Sequence, residues 1–231
     1  MTFGPLRVAT YNIHSCVGWD RRYDPERVLA VLRELDADIL ALQEVGGHLV
    51  GGTEQVRFFE QKLGMAMVTN PNRKRRNVPF GNAVLVKGEI RDLDLINLTV
   101  LPFEPRGAID CLVETRIGHV RVIATHFGLL ARERQLQIAR IAERLKEKQQ
   151  SLTLCMGDLN IFGPERRRLR QIGAPQPLPR LYSFPARRPL MSLDRIWSIP
   201  NERLLKLTVH KSALSRVASD HLPLLGTLAE E

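Results

Sequence analysis

Two stretches of this chain repeat one pattern at a fixed distance. Residues 6–13, Leu-Arg-Val-Ala-Thr-Tyr-Asn-Ile, alternate as a strand does and end on Asn12, with His14 just beyond. Asp24 and Pro25 then form the cap and first-position pair of a helix start, and Val28, Val31, Leu32 and Leu35 fall on one face of a helix over 25–36. A second apolar run, 38–43, stops at Glu44. The same order returns later: Arg121–Phe127 ends on the polar His126, residues 131–148 place Ile138, Ile141, Ala142 and Leu145 at helical spacing, and the run 152–158 stops at Asp158. Asn12 to His126 and Glu44 to Asp158 are both 114 residues apart. Strand-helix-strand units have a narrow range of lengths, so equal offsets also arise by chance. Two similar halves facing one another would nonetheless gather Asn12, Glu44, His126 and Asp158 into a single cleft.

The remaining segments extend the sheets. Gly-rich residues 46–52 read as a loop, and Thr53 as the cap of a helix with Val56, Phe59 and Leu63 inward and Gly64 as its stop. Met65–Val68 reads as a strand. A basic loop over 71–80 leads to the strand 81–86, with Asn82 at its start. Residues 93–101 and 109–117 read as paired strands joined through a turn containing Arg106. Pro164 opens a short basic helix, 173–189 is a Pro-rich loop with Tyr182 and Phe184, and 192–197 is a strand carrying Asp194. The last strand follows Ser219-Asp220-His221.

A chain of 231 residues, 44% of them hydrophobic and with no dividing linker, is expected to form a single domain over 1–231. No stretch approaches the roughly 20 apolar residues of a membrane span, and the N-terminus lacks a basic segment followed by an apolar one, which points to a soluble, cytoplasmic protein. Cys16, Cys111 and Cys155 have neither metal spacing nor a disulfide framework and suit a reducing interior. Lys and Arg number 34 against 25 Asp and Glu, a net charge of +9 that favours an anionic partner, nucleic acid or an acidic membrane surface. Much of the excess lies in Arg73-Lys74-Arg75-Arg76, in Arg166-Arg167-Arg168 with Arg170, and in Arg187-Arg188, each of which equally suits a solvated face.

The strand ends carry the chemistry. Asp158 and Asn160 follow a buried run through Gly157, and side chains two apart on an extended backbone face the same way, as a site that takes a proton from water and binds an anion requires. Asp and Asn are also ordinary turn residues. Carboxylates with few histidines and no cysteine ligand suit a hard cation such as Mg²⁺, held by one or two carboxylates and substrate phosphate. Glu44 is the first choice for that role, with Asp220 helping; a helix cap or surface ion pair is the plainer reading of Glu44 alone. Asp194 and His221 suit the pair in which a carboxylate orients an imidazole and stabilises its charge, with Arg195 as the alternative partner of Asp194. His126 reads equally as a core histidine. Ser219 lacks the Gly-flanked elbow of a nucleophilic serine.

Thr10-Tyr11-Asn12-Ile13, Leu42-Gln43-Glu44-Val45, Thr125-His126, Gly157-Asp158-Leu159-Asn160, Leu193-Asp194-Arg195-Ile196 and Ser219-Asp220-His221 stand in an order and spacing that resembles the endonuclease/exonuclease/phosphatase superfamily, the deoxyribonuclease I-like fold, and its small bacterial members in particular. The resemblance runs from residue 10 to residue 221. It implies an α/β fold (α+β in some schemes), a four-layer α/β/β/α sandwich of two packed mixed sheets flanked by helices. It also implies hydrolysis of phosphate esters by water with a divalent metal, Mg²⁺ or Mn²⁺. Carried over by position, Glu44 is the principal metal ligand with Asn12 beside it, and Asp220 is a second acid at the metal. Asp158 orients or deprotonates the attacking water, Asn160 holds a phosphoryl oxygen, His221 contacts the scissile phosphate and Asp194 orients it. His126 assists the leaving group or binds phosphate. His14 stands where some relatives have an acid, and Asn82 and Arg106 resemble substrate-side positions.

The expected function is therefore that of a metal-dependent phosphodiester hydrolase, a nuclease on DNA or RNA, with the basic clusters near the cleft following a backbone. The chain is expected to act as a monomer. The alternative is a phospholipid or small-molecule phosphodiesterase or phosphatase, and the third reading a non-catalytic nucleic-acid-binding module on the same scaffold.

Overall fold

The computed structural model describes residues 4–229. Its first sheet has the strand order β12-β13-β1-β2-β6-β5, formed by β1 (Leu6–Asn12), β2 (Ile39–Gly46), β5 (Ala66–Arg75), β6 (Val78–Val86), β12 (Leu204–Val209) and β13 (Leu224–Leu228). The second, in the order β11-β10-β9-β8-β7, comprises β7 (Glu89–Asn97), β8 (Gly107–Thr115), β9 (Gly118–His126), β10 (Thr153–Asp158) and β11 (Asp194–Ile199). A small hairpin of β3 (Leu49–Val50) and β4 (Thr53–Glu54) lies apart from both. The helices are α1 (Pro25–Leu35), α2 (Gln55–Leu63), α3 (Ala131–Glu147) and the short α4 (Ser215–Ala218).

Three apolar layers hold these elements in a four-layer sandwich. Alternation along each strand divides the side chains: Leu6 and Val8 of β1, Val120, Val122 and Ala124 of β9, and Leu154 and Met156 of β10 meet between the sheets. Ala9 and Tyr11 of β1 face the other way, where Val28, Leu32 and Leu35 of α1 and Phe59 of α2 cover the first sheet. Ile123, Cys155 and Trp197 likewise turn outward under Ile138 and Ile141 of α3. Beneath α3, buried Asp110 takes two hydrogen bonds from buried Arg121, at 2.8 and 2.7 Å, and a third from Arg144 at 2.8 Å.

The internal repeat is real in space. β1-α1-β2 and β9-α3-β10 are both parallel strand pairs joined by an outer helix. Each pair is flanked by antiparallel neighbours, β13 and β6 in one sheet, β8 and β11 in the other. The second half takes its outer hairpin, β7–β8, from the residues just before it. The first half takes the equivalent pair, β12–β13, from the far end of the chain.

Several boundaries differ from the sequence reading. The basic segment 71–80 is not a loop: β5 and β6 continue through it as a hairpin turning at Arg76 and Asn77, both left-handed at φ 52° and 63°. Its charges and prolines mask the strand signal, yet both are tolerated here, because β5 is a sheet edge and Pro79 lies beyond the last residue of β6 paired with β2. Residues 46–52 contain half of the β3–β4 hairpin, so Glu54 rather than Thr53 precedes α2. The paired strands expected at 93–101 and 109–117 begin and end earlier, at 89–97 and 107–115, and the strand expected at 192–197 runs 194–199. The basic helix after Pro164 is a 3₁₀ helix spanning Gly163–Ile172. β12 was not anticipated, being a half-exposed edge strand with little apolar contrast.

Candidate active site

All the site's strands end at one edge of the sandwich. The inter-sheet alternation that buries Leu6 and Val8 carries on to Thr10 and Asn12; that of Val122 and Ala124 reaches His126, and that of Leu154 and Met156 reaches Asp158. His126 and Asp158 are register partners across β9 and β10, and Asp194 opens antiparallel β11 directly opposite Asp158. Glu44 gets there differently. Strict alternation would send it outward, but β2 carries a bulge between Leu42 and Val45, and Glu44 sits in it at φ 57°. The irregularity turns its carboxylate toward Asn12.

Asn12 joins the two sheets. It is 2% exposed, and its Oδ1 accepts from the His14 backbone N–H at 3.1 Å. That fixes the amide's orientation, so Nδ2 donates to Glu44 Oε1 and Asp158 Oδ2, each at 3.1 Å. Ser219 Oγ supports the same residue through its carbonyl at 2.7 Å. The second oxygen of Asp158 accepts the backbone N–H of Asn160 at 3.1 Å.

Two histidines flank Asp158 in opposite charge states. His221 Nδ1 lies 2.8 Å from Asp194 Oδ2 and Nε2 3.6 Å from Asp158 Oδ2. Burial opposes its charge, but Asp194 and Asp158 outweigh it and raise its pKa to about 10, so it is an imidazolium with both nitrogens donating. Asp194 is itself held by the Ser183 hydroxyl at 2.5 Å. His126 is buried equally deeply and stays neutral: burial, helped by the Arg106 charge, lowers its pKa to about 3 although Asp158 pulls the other way. Arg106 Nη1 can only donate to His126 Nδ1, at 3.2 Å, so the ring's proton sits on Nε2, 3.5 Å from Asp158 Oδ2. Titratable groups driven apart in this way mark acid-base roles.

These groups open into a cleft of about 370 Å³ lined by Asn12, Glu44, Arg106, His126, Asp158, Asn160 and His221, with Asp194 immediately behind His221. Asn160 arrives beyond the strand end, in a left-handed conformation at φ 51°, and one of its amide hydrogens is given to the Phe127 carbonyl at 3.0 Å. The other expected residues lie outside the cleft lining. Asn82 donates to the Gly107 carbonyl at 2.9 Å, tying β6 to β8. His14 Nδ1 faces the Val17 carbonyl at 3.0 Å and lies 3.8 Å from Asp220, which stands behind the cleft and contributes its charge to His221. Arg73, Glu104, Phe162, Phe184 and Met191 line the cleft without having been singled out as site residues. The first had a signal, the basic run 73–76; Arg73 bridges to Glu104 at 2.5 Å, and Glu104 in turn accepts from Arg106 at 3.2 Å.

The donor set suits a hard cation at Glu44 better than elsewhere. Asp158, Asp194 and His221 place ligand atoms within 4.8 Å of one another. In that group the imidazolium has no lone pair to offer and Asp194 Oδ2 already accepts two hydrogen bonds, which leaves the buried, partnerless Oδ1 of Asp194 and the Asp158 carboxylate as its donors. Glu44 is only partly buried and faces the cleft with one oxygen engaged by Asn12, as a site holding a largely hydrated Mg²⁺ against a substrate phosphate requires.

Two packed mixed sheets whose strand ends converge carboxylates, amides and imidazoles on one cleft define a deoxyribonuclease I-like protein. Residues 9–221 match the profile of the Endonuclease/Exonuclease/phosphatase family, and the chain belongs to that family. The Escherichia coli protein YbhP, itself uncharacterized, is 29% identical over 95% of this chain and 94% of its own length. A functionally unknown conserved protein from Enterococcus faecalis superposes with a TM-score of 0.76 at 22% identity, over 98% of this chain and 100% of that one. The human Nocturnin catalytic domain, solved with a bound sulfate anion, superposes with a TM-score of 0.75 at 20% identity, over 98% and 95%.

Proposed function

We propose that the chain is a divalent-metal-dependent phosphodiester hydrolase acting on nucleic acid, DNA or RNA. The observation that carries this reading is the Asp158 carboxylate gripped by Asn12, with an imidazolium on one side and a neutral imidazole on the other, in a cleft that also presents Glu44. Asp158 positions the attacking water and takes its proton. The Nε2–H of His221 donates to a phosphoryl oxygen as charge grows there, and Asp194 keeps the ring charged and aligned. The free amide hydrogen of Asn160 meets a second oxygen. His126, protonated on Nε2 and backed by Arg106, donates to the leaving oxygen or to the phosphate. Glu44 would hold Mg²⁺ or Mn²⁺, with Asn12 orienting its carboxylate through Nδ2 rather than ligating the ion, and the cation when bound would neutralise charge on the transferring phosphoryl group. The sulfate in Nocturnin, a tetrahedral oxyanion of phosphate-like shape, supports a phosphate ester as substrate.

One observation favours the second reading, a phospholipid or small-molecule phosphodiesterase or phosphatase. Leu129, 66% exposed, lines the cleft, and Leu101, 84% exposed, lies in the loop that carries Glu104 and Arg106. Assays on single-stranded DNA, plasmid, RNA, a phosphomonoester and phospholipid vesicles, with Mg²⁺ or Mn²⁺ and with EDTA, decide between them. Metal-dependent cleavage of nucleic acid, reduced about 100-fold or more in Asp158→Asn and His221→Asn, is expected. Undiminished hydrolysis in EDTA or in these variants would refute the mechanism, and hydrolysis confined to lipid would transfer the assignment.

A further inference from the structure

Past Phe162 and Met191 the active-site cleft continues into a second depression of about 510 Å³. Four guanidinium groups line it, from Arg166, Arg167, Arg180 and Arg195, and no acidic residue does. Arg195 is 5% exposed; it bonds the Ser192 hydroxyl and the Pro179 carbonyl, and its Nε has no partner. None of the four is paired with a carboxylate among the described residues. Some arginines elsewhere are paired, Arg27 with Asp20 and Arg91 with Glu89 and Glu114. Glu165, next to Arg166 in the chain, is turned away to Arg134 at 2.5 Å. Burial pulls the Arg195 pKa down to about 10; the neighbouring Asp194 charge opposes the shift and the Arg166 charge adds to it. Like charges gathered around a buried guanidinium repel one another, and an anion bound among them relieves that repulsion.

The groove also has flat apolar walls. Phe162 is 56% exposed and Tyr182 42% exposed, both beside the arginines. Leu190, 74% exposed, also lines the groove, but a bilayer meets protruding tips, whereas here the most deeply set cation is in the floor of a depression. A single strand carries anionic phosphates and stackable bases, and this groove offers both guanidinium groups and aromatic rings. We propose that the groove is the track for nucleotides flanking the scissile phosphate of a single-stranded nucleic acid. Arg166, Arg167 and Arg180 hold the neighbouring phosphates, Arg195 sets the potential of the floor, and Phe162 and Tyr182 stack on bases. This inference rests on the cleft being a phosphodiesterase site.

The test uses the whole protein. Binding of a fluorescein-labelled short oligothymidylate is followed by anisotropy in EDTA, so that no turnover is needed. Arg166→Glu/Arg167→Glu and Arg180→Glu are expected to weaken it about tenfold and to lower the slope of log affinity against log salt by about 0.7 for each phosphate that is no longer neutralised. Tyr182→Ala is expected to weaken oligothymidylate about fivefold or more while leaving an abasic strand unaffected. Hydrolysis of bis(p-nitrophenyl) phosphate with Mn²⁺, a diester too small to reach the groove, should stay within twofold of wild type in all three. Unchanged oligonucleotide affinity in the arginine variants overturns the track, as does loss of binding to phosphatidylglycerol vesicles with nucleic-acid binding intact. A wild-type protein that hydrolyses neither substrate sinks the phosphodiesterase reading instead, and anisotropy still decides the groove.

Discussion

Gly157→Ala should cripple both stability and catalysis, for reasons that can be measured separately. Gly157 has φ 145° and pairs with Thr125 between β9 and β10; an added Cβ would lie 1.9 Å from the Thr125 carbonyl oxygen and 2.9 Å from its carbon. Carbon–oxygen contacts in sheets begin at about 3.3 Å, so the strands must part by more than 1 Å. Parting breaks ladder bonds worth about 1 kcal/mol each, and the backbone conformation costs a non-glycine residue about 1–3 kcal/mol more. The expected loss is about 3–5 kcal/mol, a fall of roughly 10 °C in Tm for a chain of this size. The next residue is Asp158, register partner of His126, and misplacing a reacting group by 1 Å costs about 100-fold in rate. Gly118→Ala is the control: its φ is 92°, but its Cβ would meet nothing within 4 Å, so only the backbone cost of about 1–2 kcal/mol applies and the rate should not change. Thermal unfolding and phosphodiesterase rates on both variants decide the matter. If Gly157→Ala melted within about 2 °C of wild type and turned over within twofold, the close approach of the strands could not be what places Asp158.

The two cleft histidines set a pH optimum of stability near 6.5 in EDTA. His221, with its pKa raised from 6.5 to about 10, stabilises fully below 6.5 and loses that contribution as pH rises toward 10; His126, lowered from 6.5 to about 3, favours folding above 6.5 and loses its contribution as pH falls toward 3. Urea midpoints against pH should lose their alkaline slope in His221→Asn and their acid slope in His126→Asn. Asp110→Ala leaves Arg121 buried without its carboxylate and should cost about 3–5 kcal/mol in urea unfolding while the folded fraction keeps its kcat. Glu44→Gln should raise the Mn²⁺ concentration for half-maximal activity about tenfold or more with the Tm little changed, because the side chain is only partly buried.

What was legible in the sequence was whatever obeyed a period. Asn12, His126 and Asp158 lie at i+2 steps from core residues of their own strands, so alternation alone aimed them between the sheets. α1 and α3 announced themselves through their apolar faces and, for α1, through Asp24, whose carboxylate caps the Arg27 N–H at 2.9 Å. Glu44 reaches the cleft by a bulge, which breaks the alternation and leaves no mark in residue types. The β5–β6 hairpin and β12 lie at sheet edges, where exposed side chains need no apolar pattern. Arg106 was reached only through the family resemblance, and its part in fixing the His126 tautomer depends on a distance no sequence shows. For Asn82, the sequence pointed to the right edge of the sheets; the structure spends its amide on holding β8.

That last use of an amide belongs to a wider pattern. At the edge where the strands end, the sheets are joined by polar groups: Asn12 of β1 to Asp158 of β10, Asn82 of β6 to the Gly107 carbonyl, and Asn70 of β5 to the Ala108 carbonyl at 3.0 Å. Between the sheets the contacts are apolar and non-directional, so packing sets their separation without fixing their lateral register. Hydrogen bonds supply the direction that packing lacks. His221, entering β13 of the first sheet, closes the last link by pairing with Asp194 of the second. The groups assigned here to catalysis are thus among those that lock one half of the repeat to the other. A protein built this way need not evolve a rigid frame separately from its polar cleft, because the bonds that align the halves also set the distances between the groups that line it.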